Sequence, residues 1–376
     1  MIIDYLRNHV EQMPEKDAFI FLDEFNIEIE RISYENLYSS VKSLAFLLQK
    51  YNITDAKALL IYEDARDFII CFLACQYLGI TAVPLNYSRK SAHLKAILKD
   101  SNTDTIFTTE GTKLKLENIF SDQFAFNRNI IISTDSLEDN IVISDIPCAL
   151  INDIALIQYT SGSTSIPKGV IITHDALIQN QISIADTFGC NRESIIFSWL
   201  PFYHDMGLIG NILHAIFIGC TCVAIAPSSF IRKPSNWLKA ISKYRATHSG
   251  APNFAYDLCV DYITKEEKAD LNLESWKVAY NGAEDVRSET LERFVRYFSR
   301  CGFSKSAFTP CYGLAENTLL VSGKKKSKYP SIITASRSSA GSYTIKQKGL
   351  TRKYVSSGLV VSGVHVRLIS GGGILL

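Results

Sequence analysis

The sequence predicts an α/β protein built on two doubly wound, mostly parallel sheets packed with helices. Three observations carry this. Apolar strand-like runs alternate with helical patterns from residue 33 to 109, and the alternation returns from 194 to 311. Polar, glycine-containing stretches at 159–169, 281–284 and 312–316 each follow a predicted strand, where open parallel sheets place their binding crevices.

Each element has a local reason. Ser33 is placed to cap a helix whose apolar stripe is Leu37, Val41, Leu44 and Leu48. "ALLIY" (58–62) reads as a buried strand. "DARDFIICFLACQYLG" reads as a helix stopped by Gly79. "ITAVPL" is the next strand, and "SAHLKAILKDS" with "TDTIFTT" repeats the helix–strand pair. Further strands are expected at 154–158, 194–199, 221–226, 247–250, 276–280 and 307–311. Helices are expected at 206–218, 235–244, 253–262 and 288–300. Residues 1–323 therefore form two α/β subdomains. After Gly323 the texture becomes polar, serine- and lysine-rich and weakly strand-like, and "VVSGVHVRLIS" then resumes strand alternation.

Composition narrows the function. Of 376 residues, 47% are hydrophobic, enough for a sizeable core, and the net charge is +1. Without a broad basic face, nucleic acid is not an expected partner. The run Lys324–Lys326 with Lys328 reads as a solvated loop. No apolar run is long enough to span a bilayer, and the acidic, early-broken N-terminus does not read as a signal peptide. Nine scattered cysteines fit reduced, cytoplasmic thiols better than a disulfide framework, and none has zinc-site spacing. Cys71 and Cys75, one helical turn apart, and Cys220 and Cys222, in an apolar strand, read as core.

"YTSGSTSIPKG" (159–169) carries the chemistry. Hydroxyls, glycine amides and one lysine are what a phosphate cradle requires. A polar turn between strands has the same composition, so the loop alone leaves both readings open. It is not a Walker loop, because Pro167 precedes Lys168 and Gly169 follows it. No G-x-S-x-G or G-x-G-x-x-G occurs. His204 and Asp205 are adjacent in sequence and are not expected to form a relay with each other.

Four stretches together add a resemblance. "YTSGSTSIPKG", "LPFYHDMGLIG" (200–210), "YNGAE" (280–284) and "CYGLAEN" (311–317) occur in the order found in the adenylate-forming superfamily of acyl-CoA synthetases, luciferases and adenylation domains. "YRATHSGAPNFAYDLCV" and "NGAEDVRSETLERF" look most like fatty acyl-AMP ligases, and residues 324–360 sit where that group carries an insertion. The resemblance implies activation of a fatty acid with ATP and Mg²⁺ to acyl-AMP. The acyl group would then pass to an acyl carrier protein or a polyketide synthase carrier domain. By motif position it implies that Thr160, Ser161, Gly162, Ser163, Thr164 and Lys168 embrace the phosphates. Gly282, Ala283 and Glu284 would border adenine, Tyr312 would stack on it beside Gly313, Leu314 and Ala315, and Glu316 would hold Mg²⁺. His204 would sit near the reacting carboxylate, with Lys168 and Glu316 as its catalytic partners. Phe202, Met206, Ser249, Gly250, Asn253 and Phe254 would line the acyl pocket.

Such a site needs no general base, because the carboxylate is already a nucleophile. It needs charge compensation, where one preorganised donor is worth roughly 3–4 kcal/mol. Chain-length preference would follow from burying alkyl carbons, at roughly 0.8 kcal/mol per methylene. Ser165 departs from the family's usual glycine. Residues 361–376 would start a β-rich barrel left incomplete. Neither the family's Thr-Gly-Asp motif nor its mobile C-terminal domain with a catalytic lysine follows. The chain is thus expected to be the large N-terminal part of such a ligase, slow or inactive alone. The competing readings are an acyl-CoA synthetase fragment and a non-catalytic nucleotide- or acyl-binding remnant.

Overall fold

The computed structural model describes residues 1–51, 53, 56–86, 91–120, 130–136, 153–160, 167–325, 329–337, 343–345, 351–370 and 373–375. Its first ten strands are β1 (Asp17–Leu22), β2 (Glu28–Ser33), β3 (Lys57–Tyr62), β4 (Thr81–Asn86), β5 (Thr105–Thr108), β6 (Ile130–Ser133), β7 (Ile154–Thr160), β8 (Lys168–Thr173), β9 (Ile195–Ser198) and β10 (Thr221–Ile225). There follow β11 (His248–Gly250), β12 (Val278–Asn281), β13 (Phe308–Gly313), β14 (Leu320–Gly323), β15 (Ile332–Arg337), β16 (Tyr343–Ile345), β17 (Thr351–Val355), β18 (Leu359–Val360), β19 (Leu368–Ser370) and β20 (Gly373–Leu375).

The chain forms two compact units. The first comprises Met1–Gln181 with Ser198–Ser229. Its six-stranded sheet has the order β6-β5-β3-β4-β7-β8, parallel except where β8 runs back along β7. The expected helix caps are present. Ser33 Oγ accepts from the Asn36 amide at 3.2 Å, and Gly79 ends the helix Ala65–Leu78 at φ 69°. Leu59, Ile61, Val83, Leu85, Leu94, Ile97, Ile106 and Tyr159 form one buried cluster beneath the sheet. Cys71, Cys75, Cys220 and Cys222 are buried free thiols, as their positions implied.

The sequence reading missed the opening of this unit. A helix at Ile2–Gln12 and the strands β1 and β2 precede the first assigned element, with β10 parallel and β2 antiparallel to β1. β2, "EIERIS", is mostly exposed, so it lacks the apolar run that would mark it. The helix expected at 206–218 is also interrupted. A turn at Asp205–Gly207 leads into a π-helix at Leu208–Ile212, and regular helix resumes at Leu213–Ile218. Buried amides brace the wide turn: Gln181 Nε2 donates to the Ile209 carbonyl at 2.8 Å, and Asn211 Nδ2 to Ser198 Oγ at 3.0 Å.

The second unit comprises Ile182–Phe197 with Phe230–Leu376. Its strands follow the order β18-β14-β13-β12-β11-β9, with β9, β11, β12 and β13 parallel. Its core is aromatic. Trp276 lies 5.3 Å from Trp237 and 6.0 Å from Phe294 between ring centroids, and Tyr256 lies 5.1 Å from Phe294. The indole nitrogens are satisfied: Trp276 Nε1 donates to the Ser249 and Val278 carbonyls, and Trp237 Nε1 to Ser249 Oγ.

Beyond Gly323 the weakly strand-like stretch contains the antiparallel sheet β16-β15-β17, and β19 pairs with β20. Strand structure does not run through 361–367, where alternation had suggested it. The lysine run is not simply solvated either. Lys324 is half-buried, donates to the Ser306 carbonyl at 3.2 Å, and has its pKa lowered by burial. Lys325 pairs with Asp186 at 2.8 Å, while Lys326 and Lys328 lie outside the described residues.

Candidate nucleotide and acyl site

In the first unit, β7 and β8 form the arms of the hydroxyl-rich loop. Thr160 and Lys168 are register partners across the antiparallel pair, so the loop's two ends are brought together with the lysine exposed. Ser161, Gly162, Ser163 and Thr164 lie outside the described residues. Gly169 is needed beside this loop, since a Cβ there would meet Ile157 Cγ2 at 2.7 Å and the Tyr159 ring at 3.0 Å. Tyr159 anchors the opposite face of β7 by donating to Asp100 Oδ2 at 2.6 Å.

Gln158, which the sequence reading passed over, links β7 to the His204 segment. Its amide donates to the Tyr203 carbonyl at 2.9 Å, and its Oε1 is buried with no hydrogen-bond partner among the described residues. Replacing Gln158 with alanine would remove its hydrogen bond to the Tyr203 carbonyl. We expect a loss of about 1–3 kcal/mol in urea unfolding and faster deuterium exchange over residues 202–208. Unchanged exchange there would show that the contact does not hold the segment.

His204 and Asp205 correct the sequence expectation. His204 Nδ1 lies 2.6 Å from Asp205 Oδ1. The backbone is extended at His204 and helical from Asp205, which turns both side chains to one side. Asp205 Oδ1 also accepts from the Met206 amide at 2.6 Å, so the carboxylate is held in place. This arrangement favours the proton on Nδ1. Gly207 allows the close return of the chain, because a Cβ there would lie 2.2 Å from the Pro201 carbonyl. Met206 is half-buried. Phe202 is buried against Phe68 at 4.8 Å, and with Phe21, Leu22, Leu200 and Ile212 it lines a mostly apolar cavity of about 60 Å³ within this unit.

In the second unit, the carboxyl ends of three parallel strands gather the remaining residues. Gly250 pairs with Tyr280, and Asn281 with Pro310, which sets Gly282–Glu284 beside Cys311–Gly313. Glycines are required where the strands close. A Cβ would meet the Tyr280 carbonyl at 2.1 Å from Gly250, Cys311 Sγ at 2.9 Å from Gly282, and the Leu319 carbonyl at 2.0 Å from Gly313. Burial pushes the Cys311 thiol up to about 12, so it is not poised for nucleophilic chemistry.

Asn253 is the hub of this end. Its Nδ2 donates to the Asp285 carbonyl at 2.8 Å, and its Oδ1 accepts from Asn281 Nδ2 at 3.2 Å and the Arg287 amide at 3.0 Å. The loop after β12 is thereby clamped with Ala283 in the left-handed region at φ 67°, a strained conformation for a non-glycine residue. Asn281, a fully buried polar residue at a strand end, was not singled out from sequence. Ser249 is fully buried, and its hydroxyl donates to the Phe197 carbonyl while accepting from Trp237, so that side chain serves the core. Phe254 is 42% exposed.

Tyr312 presents an exposed ring at the end of β13. Leu314 donates its amide to the Leu319 carbonyl at 2.9 Å, closing a tight turn in which Ala315 is buried and Glu316 exposed. Thr318, at φ 67°, strains that turn. Ala283–Val286, Cys311–Gly313 and Arg352–Val355 line a cavity of about 220 Å³. Among the described residues no three histidine, cysteine, aspartate or glutamate side chains cluster as a metal site. One exposed carboxylate is nonetheless what a Mg²⁺ shared with nucleotide phosphates requires, so Glu316 fits that ion.

The family described as AMP-binding enzyme matches residues 6–369. The chain belongs to this family. The AMP-binding chain is 34% identical to a medium-chain-fatty-acid–[acyl-carrier-protein] ligase, JamA, of Moorena producens, over 98% of this chain and 65% of that protein. It is 36% identical to the corresponding ligase TtuA of Teredinibacter turnerae, over 86% of this chain and 56% of that protein. It thus spans less than two thirds of the length of either relative. A fatty acyl-adenylate ligase from Legionella pneumophila, solved with acyl adenylate and pyrophosphate, superposes with a TM-score of 0.85 at 37% identity, covering 96% of this chain and 63% of that one. Another structure, a fatty acid AMP ligase from the same organism, gives 0.90 at 37% identity, over 99% and 65%. The fold is that of these enzymes, with the parallel sheets and flanking helices the sequence predicted.

Proposed function

We propose that this AMP-binding chain is the nucleotide- and acyl-binding part of a fatty acyl-AMP ligase. The observation that carries the reading is the convergence of Gly282–Glu284 and Tyr312 at the carboxyl ends of β12 and β13 in a chain 37% identical to a ligase crystallised with acyl adenylate and pyrophosphate. Glu284 and Gly282 with Ala283 would border adenine, and Tyr312, with Gly313, Leu314 and Ala315 behind it, would stack on it.

In the reaction, a fatty-acid carboxylate oxygen bonds to the α-phosphorus of ATP, and the bond from that phosphorus to the pyrophosphate oxygen breaks. Lys168 and the hydroxyls from Thr160 to Thr164 would offset phosphate charge. His204, held by Asp205 through Nδ1, would lie near the reacting carboxylate. Mg²⁺ held by Glu316 would supply electrostatic stabilisation to the phosphates. Phe202 and Met206 in the first unit, and Ser249, Gly250, Asn253 and Phe254 in the second, are the residues proposed to contact the acyl chain. The acceptor would be an acyl carrier protein or polyketide synthase carrier domain, the former named in the activity of both bacterial relatives. A cytoplasmic setting is proposed, with which the free cysteines among the described residues agree. No described helix is long and apolar enough to cross a membrane.

The test is acyl-AMP formation by the 376-residue chain with Mg·ATP and saturated fatty acids of increasing length, read by mass spectrometry. Acyl-AMP is the expected product, formed slowly if at all by this span alone and faster when the C-terminal region of a relative is supplied. Subsequent transfer to carrier protein but not to free coenzyme A supports the ligase reading, whereas acyl-CoA would reassign the chain to the synthetases. Nucleotide binding with no acyl-AMP, even when the C-terminal region of a relative is supplied, would leave a binding remnant instead.

A further inference from the structure

The cavity of about 220 Å³ has a third wall that the carried-over motifs do not include: Arg352–Val355 and Ser357, from β17 and its exit. Its size is below the roughly 300–1,000 Å³ of whole-ligand pockets, and suits one planar base rather than a complete nucleotide. The other two walls are the clamped Ala283–Val286 loop and the Cys311–Gly313 strand end.

Alternation along β17 puts Arg352 and Tyr354 on one face and Lys353 on the other. The Arg352 guanidinium carbon lies 5.3 Å from the Tyr354 ring centroid. Arg352 also reaches Asp285 at 3.4 Å, but the two side chains are 63% and 88% exposed, so this pair is weak and leaves the guanidinium available. Lys353 instead pairs with Glu292, on the helix Ser288–Phe298, at 3.1 Å. The strand's backbone is fixed by its pairing with β15, from Ile332↔Val355 to Ser336↔Thr351.

Resting on the reading of this cavity as the adenine end of the nucleotide site, we propose that Arg352 is a base-contacting residue. With Tyr354 behind it, its planar guanidinium forms the wall opposite Tyr312. The 324–360 segment then contributes directly to nucleotide recognition. A delocalised, weakly hydrated plane suits a purine face, and a lysine ammonium does not replace it.

The experiment measures ATP affinity by calorimetry, with Mg²⁺, at 50 and 300 mM NaCl, for the parent chain and for Arg352→Ala, Arg352→Lys and Glu292→Ala, the last removing the partner of Lys353 outside the cavity wall. Far-UV circular dichroism and Tm confirm folding. Both Arg352 variants are expected to weaken ATP about tenfold, with the same ratio to parent at both salts, while Glu292→Ala stays within about twofold. Arg352→Lys at parent affinity, or an Arg352→Ala effect that vanishes at high salt, would reduce Arg352 to a distant charge and overturn the proposal. Equal weakening by Glu292→Ala would overturn it too, by assigning the effect to docking of β17. Absence of ATP binding by the folded parent would overturn the nucleotide reading itself, a distinct result.

Discussion

Replacing Asn253 with alanine is expected to weaken ATP binding at least tenfold and lower the Tm of the chain. Asn253 is fully buried and satisfies three separate groups: the Asp285 carbonyl, the Arg287 amide and the Asn281 side-chain amide. Removing it leaves the Asn281 amide buried without this acceptor, and takes away the part-buried partners of the Asp285 carbonyl and the Arg287 amide. An unsatisfied buried group costs about 1–3 kcal/mol, and the combined loss should be about 2–4 kcal/mol. At this chain size that corresponds to roughly 3–5 °C in Tm. The functional loss has a separate cause. Ala283 is held at φ 67° only because the loop around it is pinned, and release lets it relax away from the binding geometry. Asn253→Asp keeps the acceptor for the Arg287 amide but loses the donor to Asp285, so it should fall between parent and alanine in both measurements. A lowered Tm with ATP affinity within twofold of parent would show that the clamp supports only the fold.

The second large effect is expected from Glu316→Gln. The carboxylate is exposed on the Ala315–Asn317 turn, so its replacement by an isosteric amide should leave Tm within about 1 °C. If Glu316 holds the ion as proposed, Mg²⁺ would be shared between this carboxylate and the phosphates, and ATP affinity of the parent should rise with Mg²⁺. In the variant that enhancement should disappear, and acyl-AMP formation should drop about 10²–10³-fold, the equivalent of roughly 3–4 kcal/mol of electrostatic stabilisation. Titrating ATP with and without Mg²⁺ decides the matter, and an undiminished Mg²⁺ effect in Glu316→Gln would exclude Glu316 as the metal ligand.

The legibility of this protein divides by range. Ser33 as a helix cap, Gly79 as a helix stop and the buried runs of β3, β4 and β5 follow from interactions within a few residues, so their pattern is visible in the chain itself. So too is the placing of motifs after strand ends, because parallel sheets with crossover helices put loops there as a matter of topology. The four ordered motifs then identified the AMP-binding family, which the match over residues 6–369 bears out.

What the tertiary structure alone decided depends on partners far apart in sequence. Asn253 and Asn281 meet because β11 and β12 are registered Gly250 to Tyr280. Gln158 reaches Tyr203 across 45 positions. The π-helix inside 206–218 is braced by the Gln181 amide from another helix, so local periodicity still read as one regular helix. Ser249, which the family resemblance placed at the acyl pocket, has its hydroxyl bound by Trp237 and its carbonyl by Trp276, contacts no local pattern shows. Arg352 looked like one more charge in a polar stretch until antiparallel pairing with β15 set it against the Ala283–Val286 loop. Sequence determined the elements and their order because those are short-range free energies. Register and packing assigned the individual side chains, because only the folded chain brings together groups separated by tens of residues.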